Sequence, residues 1–147
     1  MFFQRKNISC PLMYEKIPLS TKIDDLTFVV FDTETTGFQV ATTDRLIEIG
    51  AVPVSGMKVM ENDRFQTYVN PERQISREII ELTSITNEKV AEAPVASEAI
   101  HGFFDYVGSH KAVCLVGHYV GFDHLVLKTE LKREKLTLKK TVHHRYT

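Results

Sequence analysis

Leu26-Thr27-Phe28-Val29-Val30-Phe31 leads directly into Asp32-Thr33-Glu34-Thr35-Thr36-Gly37 in the first third of a 147-residue chain. The first run is β-branched, aromatic and almost continuously apolar, a pattern typical of a strand that is covered on both faces. The second run is polar and ends in glycine, which favours a turn. The sequence therefore predicts a central strand that carries two acidic residues at its carboxyl end.

Asp32 and Glu34 are two positions apart at the end of this strand. Alternate side chains of a strand point to the same face, so the two carboxylates would lie side by side and repel each other. One interpretation is structural, because acids and threonines often begin a turn where a strand reaches the surface. The other is a site for a hard divalent cation such as Mg²⁺, which prefers carboxylate oxygens and would remove the repulsion.

Three further strands are predicted beyond this string. Leu46-Ile47-Glu48-Ile49-Gly50-Ala51-Val52-Pro53-Val54 resumes strand chemistry, and Gly56 indicates a tight turn. Residues 57–69 alternate well enough for a third strand, which predicts an antiparallel meander with hairpin connections. A short apolar run at residues 111–116 predicts one more strand.

Two longer helices and one short helix are predicted in the second half of the chain. The short helix spans residues 76–82 with Ser76 as its N-cap, and a loop follows as far as Pro94. Pro94 suits the first turn of a helix that continues to about residue 108 with an apolar stripe. The last helix spans about residues 122–135 and has Asp123 in its first turn, where the helix dipole favours an acid.

Composition indicates one globular domain, with 43% hydrophobic residues, 25% charged residues and a formal net charge of −1. Residues 1–127 hold 11 Lys and Arg against 17 Asp and Glu, whereas residues 128–147 hold 7 against 2. A basic end of this kind attracts nucleic acid or is simply a solvated helix face.

Cellular location and domain limits follow from the same composition. A helix needs about 20 apolar residues to cross a bilayer, and no apolar run approaches that length. The first residues are not followed by the apolar segment that a secretory signal peptide requires. We therefore expect no membrane association and a cytoplasmic location. Residues 1–25 are interpreted as a leader that packs loosely against a domain of residues 26–147.

A second motif with an acid, His118-Tyr119-Val120-Gly121-Phe122-Asp123, follows the strand predicted at 111–116. Together with Asp32-Thr33-Glu34-Thr35-Thr36-Gly37 it resembles the DEDD exonucleases, in particular the DnaQ-like branch (DEDDh) that includes the epsilon proofreading subunit of bacterial DNA polymerase III. The first string matches that family's Asp-x-Glu-Thr-Thr-Gly motif throughout. The second keeps the His, Phe and Asp of a His-Asn-Ala-x-Phe-Asp motif but not the Asn-Ala pair. The resemblance covers about residues 26–140.

The resemblance implies a ribonuclease-H-like α/β fold, in which three antiparallel strands are extended by parallel strands and flanked by helices. It also implies a 3′–5′ exonuclease that releases nucleoside monophosphates. In such an enzyme Asp32, Glu34 and Asp123 would be the catalytic residues and would hold two Mg²⁺ or Mn²⁺ ions. The substrate would be a single-stranded 3′ end of DNA or RNA, and a DNA polymerase subunit is the expected partner.

Residues near the two motifs acquire expected roles through the same resemblance. The terminal nucleotide would be bound by the residues just after the first acids, namely Thr35, Thr36, Gly37 and Phe38. His118 would also contact the substrate and would orient the site. Phe38 is equally interpretable as a plain loop hydrophobe. Glu48 either supports the metal ligands or is an exposed strand acid.

The family's third motif, a His-x-Ala-x-x-Asp string that supplies the general base and a fourth metal-binding acid, has no match in the 147 residues. After Asp123 the acids are Glu130 and Glu134, and His143 and His144 lack the required spacing. We therefore expect a domain without its last strand and helix. The alternatives are a catalytically impaired remnant that binds nucleic acid or a polymerase, and a structural fragment.

Overall fold

The computed structural model describes residues 7–9 and 17–139 of the chain. The strands are β1 (Asn7–Ser9), β2 (Thr27–Thr35), β3 (Leu46–Ser55), β4 (Lys58–Val59), β5 (Phe65–Tyr68), β6 (Cys114–Val116) and β7 (Thr137–Lys139). The helices are α1 (Arg77–Thr83), α2 (Asn87–Ala91), α3 (Ala96–Ser109) and α4 (Val120–Arg133). Short 3₁₀ turns at Ile23–Asp25 and Glu61–Asp63 precede β2 and β5.

The apolar run of the sequence forms β2, which lies inside a five-stranded mixed sheet. Strand β2 pairs antiparallel with β3 and parallel with β6, while β3 also pairs antiparallel with β4 and β5. The register places Asp32 opposite Gly50 and Glu34 opposite Glu48. The predicted mixed sheet, with an antiparallel meander extended by a parallel strand, is confirmed.

Alternate residues of β2 are buried, namely Val29, Phe31, Thr33 and Thr35. This face packs against α3 and α4, where the Phe103 ring lies 5.2 Å from the Phe31 ring. Phe28 and Val30 on the other face are only half-buried. The prediction that both faces of this strand are covered is therefore wrong for the second face. A second, smaller cluster holds α1 and α2 against β3 through Ile47, Ile75, Ile85 and Val90.

Four predicted elements differ in the structure. The strand predicted at residues 111–116 is confined to β6 at Cys114–Val116, because the chain is still in a turn at residues 110–111. The third strand of residues 57–69 is divided into β4 and β5, because the turn-favouring residues Glu61–Asp63 form a 3₁₀ turn. The predicted loop before Pro94 contains α2, which the Thr86 hydroxyl caps by accepting from the Lys89 backbone N–H. Helix α3 begins at Ala96 rather than Pro94, since Val95 at its N-cap is still extended.

The segment before residue 26 contributes a strand. β1 pairs in parallel with β7, with Asn7 opposite Thr137, and these two strands form a separate two-stranded sheet. The division of the domain at residue 26 stays a prediction, and His143 and His144 lie outside the described residues. Among the described helices, none has the length and apolar character that a bilayer crossing requires.

Candidate active site

Asp32 and Glu34 lie on the face of β2 that α3 and α4 do not cover. Phe31, Thr33 and Thr35 between and beside them are buried, whereas Asp32 is exposed and Glu34 is half-buried. Gly50, which has no side chain, lies opposite Asp32 on β3. The strand pattern therefore presents both carboxylates at an open part of the sheet.

Asp123 reaches the same region from the first turn of α4, and only 2% of its surface is exposed. Its Oδ1 atom accepts two hydrogen bonds from Thr33, one from the backbone N–H at 3.0 Å and one from the hydroxyl at 2.6 Å. Thr33 is itself buried, between the two acids of β2. Sequence reasoning did not single out Thr33, although its position on the helix-packed face follows from the strand alternation.

The pKa values show that the carboxylates share one electrostatic environment. The pKa of Glu34 is raised by burial, and next by the negative charges of Asp32, Glu48 and Asp123. The pKa of Asp123 is raised mainly by burial and also by Asp32, while the hydrogen bonds from Thr33 act in the opposite direction. Every charge that shifts Glu34 is negative, so the site repels anions and favours a cation.

Glu48 belongs to this acidic group. It lies opposite Glu34 in the register of β2 and β3, and its Oε1 accepts a hydrogen bond of 2.6 Å from the Gln66 side chain. Its charge is one cause of the raised pKa of Glu34. Of the two interpretations left by the sequence, the geometry favours an acid that supports the site over an isolated strand acid.

The chemistry of the donors fits a hard divalent cation, because carboxylate oxygens of uncompensated charge are the ligands that Mg²⁺ and Mn²⁺ prefer. Asp32 and Glu34 would supply oxygens from the open face of β2, and Asp123 would supply the Oδ2 atom of a carboxylate that Thr33 orients. In the part of the chain that the structure describes, no group of three His, Cys, Asp or Glu side chains is already close enough to hold a metal ion, so these carboxylates would have to move toward one another to bind one.

The residues after the acids form a loop that joins β2 to β3. The Thr35 hydroxyl donates to the Gly37 carbonyl at 2.7 Å, and the Thr36 hydroxyl donates to Asp44 Oδ1 at 2.9 Å. A Cβ atom added to Gly37 would lie 2.5 Å from Asp44 Oδ2, so the loop requires glycine for close packing. Both threonine side chains are therefore used inside the loop, which leaves backbone groups and Phe38 for contacts outside it.

Phe38 and His118 are exposed near the acids. The Phe38 side chain is 82% exposed and lies against Phe122, with 6.1 Å between the ring centroids. His118 and Asp32 line a common groove of about 580 Å³, which extends across Gly50 toward Gln66. Gly117 lets this segment approach the sheet closely, because a Cβ atom there would lie 3.1 Å from the Phe31 carbonyl oxygen.

A buried charged cluster fixes the loop to α4. Glu130 is 1% exposed and accepts hydrogen bonds from Arg45 Nε at 2.9 Å, from the Leu46 backbone N–H at 3.0 Å and from Arg133 Nη1 at 2.9 Å. The hydrogen bond with Glu130 is the main cause of a raised Arg45 pKa. Arg133 also donates to the carbonyls of Val40, Thr42 and Asp44. One helix thus carries Asp123 and holds the loop that carries Phe38.

Residues 29–147 match the protein-family model described as Exonuclease. The chain belongs to this exonuclease family. By family it is a nuclease and a hydrolase, and the two sequence motifs identify the DnaQ-like branch. The resemblance stated from Asp32-Thr33-Glu34-Thr35-Thr36-Gly37 and His118-Tyr119-Val120-Gly121-Phe122-Asp123 is thereby confirmed.

Similar proteins include PolC-type DNA polymerases III. The chain is 40% identical over 115 residues to that of Caldanaerobacter subterraneus subsp. tengcongensis and 38% identical over 111 residues to that of Bacillus subtilis. The alignments cover 78% and 76% of this chain but only 8% and 7% of those polymerases. The chain therefore corresponds to a small part of the length of these relatives.

Solved structures show the same fold. The nuclease domain of 3′hExo, a DEDDh family member bound to rAMP, has a TM-score of 0.65 at 21% identity, over 76% of this chain and 60% of that chain. Escherichia coli exonuclease I in complex with a dA16 oligonucleotide has a TM-score of 0.63 at 20% identity, over 76% and 25% of the two chains. The ribonuclease-H-like exonuclease fold expected from the motifs is confirmed.

In this exonuclease domain, the acids that follow Asp123 are engaged elsewhere. Glu130 belongs to the buried cluster with Arg45 and Arg133, and Glu134 Oε1 accepts a hydrogen bond of 3.0 Å from the Ser97 backbone N–H. The role of Glu130 had no signal in the sequence, because its partners Arg45 and Leu46 are more than 80 positions away. Neither glutamate lies with Asp32 and Glu34.

Proposed function

We propose that this chain is a metal-dependent 3′–5′ exonuclease domain that hydrolyses the terminal phosphodiester of single-stranded DNA and releases nucleoside monophosphates. The observation that carries the proposal is that Asp32, Glu34 and Asp123 lie close enough for their negative charges to raise one another's pKa: Asp32 and Asp123 raise the pKa of Glu34, and Asp32 raises the pKa of Asp123. All three acids come from the motifs that define the family. A surface with this charge repels a nucleic-acid phosphate unless a cation lies between them.

The proposed roles of the acids follow from their positions. Asp32, Glu34 and Asp123 would hold Mg²⁺ or Mn²⁺, and such ions, when bound, lower the pKa of water and offset negative charge on the reacting phosphate. Thr33 keeps the Asp123 carboxylate in one orientation through two hydrogen bonds. Glu48 adds negative charge beside Glu34 and thereby strengthens the attraction for a cation.

The proposed substrate contacts come from the loop after β2 and from the segment before α4. Phe38 would lie against the terminal base or sugar, because its ring is exposed and rests on Phe122. Backbone groups at Thr35, Thr36 and Gly37 would contact the nucleotide, since the two hydroxyls are bonded inside the loop. His118 would orient the scissile end in the groove that it shares with Asp32.

The proposal of DNA as substrate, with proofreading or repair as its purpose, is supported by the PolC-type DNA polymerase III relatives. The same relationship supports a DNA polymerase as partner and a cytoplasmic location. The solved structures of similar fold include one bound to rAMP and one bound to a deoxyadenosine oligonucleotide. The digestion experiment therefore uses both a DNA and an RNA oligonucleotide.

A second candidate function is nucleic-acid binding without hydrolysis. It is favoured by the engagement of Glu130 and Glu134, which leaves no acid after Asp123 in the described helix to act as a fourth metal ligand. A binding module would keep affinity for a single strand and show no turnover.

The test is digestion of a 5′-labelled single-stranded DNA oligonucleotide, and of the matching RNA, with Mn²⁺. A ladder that shortens from the 3′ end is expected, and EDTA should abolish it. Asp32→Asn should remove the activity, whereas Glu92→Gln, an exposed acid at the end of α2, should not. Binding without any shortening beyond that of Asp32→Asn would support the second candidate and refute the first.

A further inference from the structure

Two large aromatic side chains are exposed in the part of the chain that the structure describes. They are Phe38, at 82%, and Tyr119, at 81%. Phe38 follows the first acidic motif, and Tyr119 immediately precedes α4, which carries Asp123. The other Phe and Tyr rings of the described residues are buried or half-buried. The exposed aromatic surface is thus divided between the two segments that carry the acids.

Contacts connect the two exposed rings with the groove that contains Asp32. Phe38 packs on Phe122, and the Phe122 backbone N–H donates a hydrogen bond of 2.8 Å to the Tyr119 carbonyl. The Tyr119 ring lies edge-on to the His118 ring, with 4.8 Å between centroids and an interplanar angle of 90°. His118 in turn lines the groove that contains Asp32. Tyr119 therefore stands at the rim of the candidate active site.

The backbone of Tyr119 is in an unfavourable conformation. Its φ of 52° and ψ of 42° place it in the left-handed region, and it occupies the N-cap of α4 without a side-chain capping hydrogen bond. Glycine, asparagine and aspartate adopt this conformation most readily, whereas a bulky residue rarely does. Nothing in the local backbone therefore favours tyrosine at this position, and the exposed side chain gains little from packing.

We propose that Tyr119 is a substrate-binding residue that stacks on a nucleobase near the 3′ end, as a second aromatic contact beside Phe38. The inference rests on the proposed function, which supplies the single-stranded substrate. The acids and the cations that they would hold act on the phosphate, so contacts to the bases have to come from other side chains. An exposed ring stacks on any base and is tolerant of sequence, as a terminal exonuclease requires.

The key variant is Tyr119→Asn, because asparagine tolerates the left-handed conformation but cannot stack. We expect Tm to rise by about 3 °C, because asparagine relieves the strain of the left-handed backbone conformation. At the same time, KM for a single-stranded oligonucleotide should rise by about fivefold or more while kcat stays near its original value. Tyr119→Phe keeps the ring and should keep the wild-type KM.

Met57 provides the matched control. It is also in the left-handed region, with a φ of 60°, and is exposed in the turn between β3 and β4. This turn follows Ser55, which pairs with Thr27. Thr27 is the first residue of β2, whereas Asp32 and Glu34 lie near the other end of that strand. Met57→Asn should raise Tm in the same way and leave KM unchanged.

An oligonucleotide with abasic residues at its 3′ end separates stacking from other contacts. Wild type and Tyr119→Asn should differ for the normal strand and become equal for the abasic strand. A KM unchanged in Tyr119→Asn, or an equal rise on the abasic strand, would overturn the role of Tyr119 while leaving the exonuclease proposal intact. If wild type neither binds nor shortens the oligonucleotide, the proposed function itself fails, and the role of Tyr119 fails with it.

Discussion

Thr33 and Asp123 are joined by two hydrogen bonds that connect β2 to the first turn of α4. The Thr33 backbone N–H and hydroxyl donate to the same oxygen, Asp123 Oδ1, at 3.0 and 2.6 Å. Thr33 lies on the buried face of β2, while Asp32 and Glu34 beside it lie on the open face. A residue with no expected role in catalysis thus determines where the third acid lies relative to the first two.

Replacement of Thr33 by valine removes the hydroxyl but keeps the branched shape. We expect the free energy of unfolding to fall by about 1–3 kcal/mol, because a buried carboxylate loses a hydrogen-bond partner. The pKa of Asp123 should rise further, since this bond is one of the factors that lower it. Urea denaturation measures the stability, and oligonucleotide digestion should show a reduced rate.

Thr27→Val is the control for that substitution. Thr27 lies at the other end of β2, where its hydroxyl is 3.0 Å from the Ser55 hydroxyl. This variant should lose less stability and keep the wild-type rate of digestion. An equal loss of rate in both variants would argue against a special role of Thr33.

Glu34→Gln is expected to stabilise the fold at neutral pH while it impairs the proposed activity. The folded-state pKa of Glu34 is raised, so protonation favours the folded state, and that stabilisation is lost as pH rises through the raised pKa. Glutamine remains neutral and avoids this loss. In metal-free protein kept in EDTA, Tm of the variant should exceed that of wild type at pH 7, and the two values should converge below the ordinary glutamate pKa of 4.5.

A comparison with Glu92→Gln isolates the local effect, because it changes net charge equally at an exposed position. It should give no such pH-dependent difference in Tm. A Glu34→Gln protein that is less stable than wild type at pH 7 would contradict the raised pKa.

Glu130→Gln should weaken the attachment of the loop to α4. The half-buried Arg45 and Arg133 side chains would lose their charged partner, and we expect a cost of about 2 kcal/mol, because hydrogen bonds to a buried carboxylate are weakened. The exposed pair of Arg77 and Glu81 is the reference, where Glu81→Gln should cost less than about 1 kcal/mol. Urea denaturation measures the free energy of unfolding of both variants. Similar losses in the two variants would show that the buried cluster stabilises the protein no more than an exposed ion pair does.

Gly37→Ala should displace the loop that carries Phe38. The added methyl group would lie 2.5 Å from Asp44 Oδ2, and Asp44 is held by the Thr36 hydroxyl and the Gln39 backbone N–H. Overpacking of this kind typically costs about 1–3 kcal/mol, and KM should rise with it.

Gly102→Ala in α3 is expected to have the opposite effect on stability. A Cβ atom at Gly102 would meet nothing within 4 Å, and alanine favours a helix over glycine by about 1 kcal/mol. Thermal unfolding of the two variants should therefore shift Tm in opposite directions. A rise in Tm for Gly37→Ala would show that Asp44 yields to the methyl group.

The central strand, its two acids and the helix that carries Asp123 were all predictable from local patterns. Apolar continuity predicted β2, and the two-residue spacing of Asp32 and Glu34 predicted a common face, because both signals depend only on neighbouring residues. The division of residues 57–69 into two strands was missed, since a 3₁₀ turn at Glu61–Asp63 interrupts an alternation that otherwise continues. The short helix α2 was missed because its stability depends on burial of Val90.

Local sequence patterns were sufficient to identify the family, the acids and the strand that presents two of them, because motif spacing and strand alternation are properties of adjacent residues. The contacts of the packed fold were needed to show that Thr33 holds Asp123, that Glu130 holds the loop, and that Tyr119 is exposed beside His118. Thr33 is separated from Asp123 by 90 positions, and Glu130 from Leu46 by 84. Contacts over such distances form only when the sheet and α4 pack, so no local pattern encodes them.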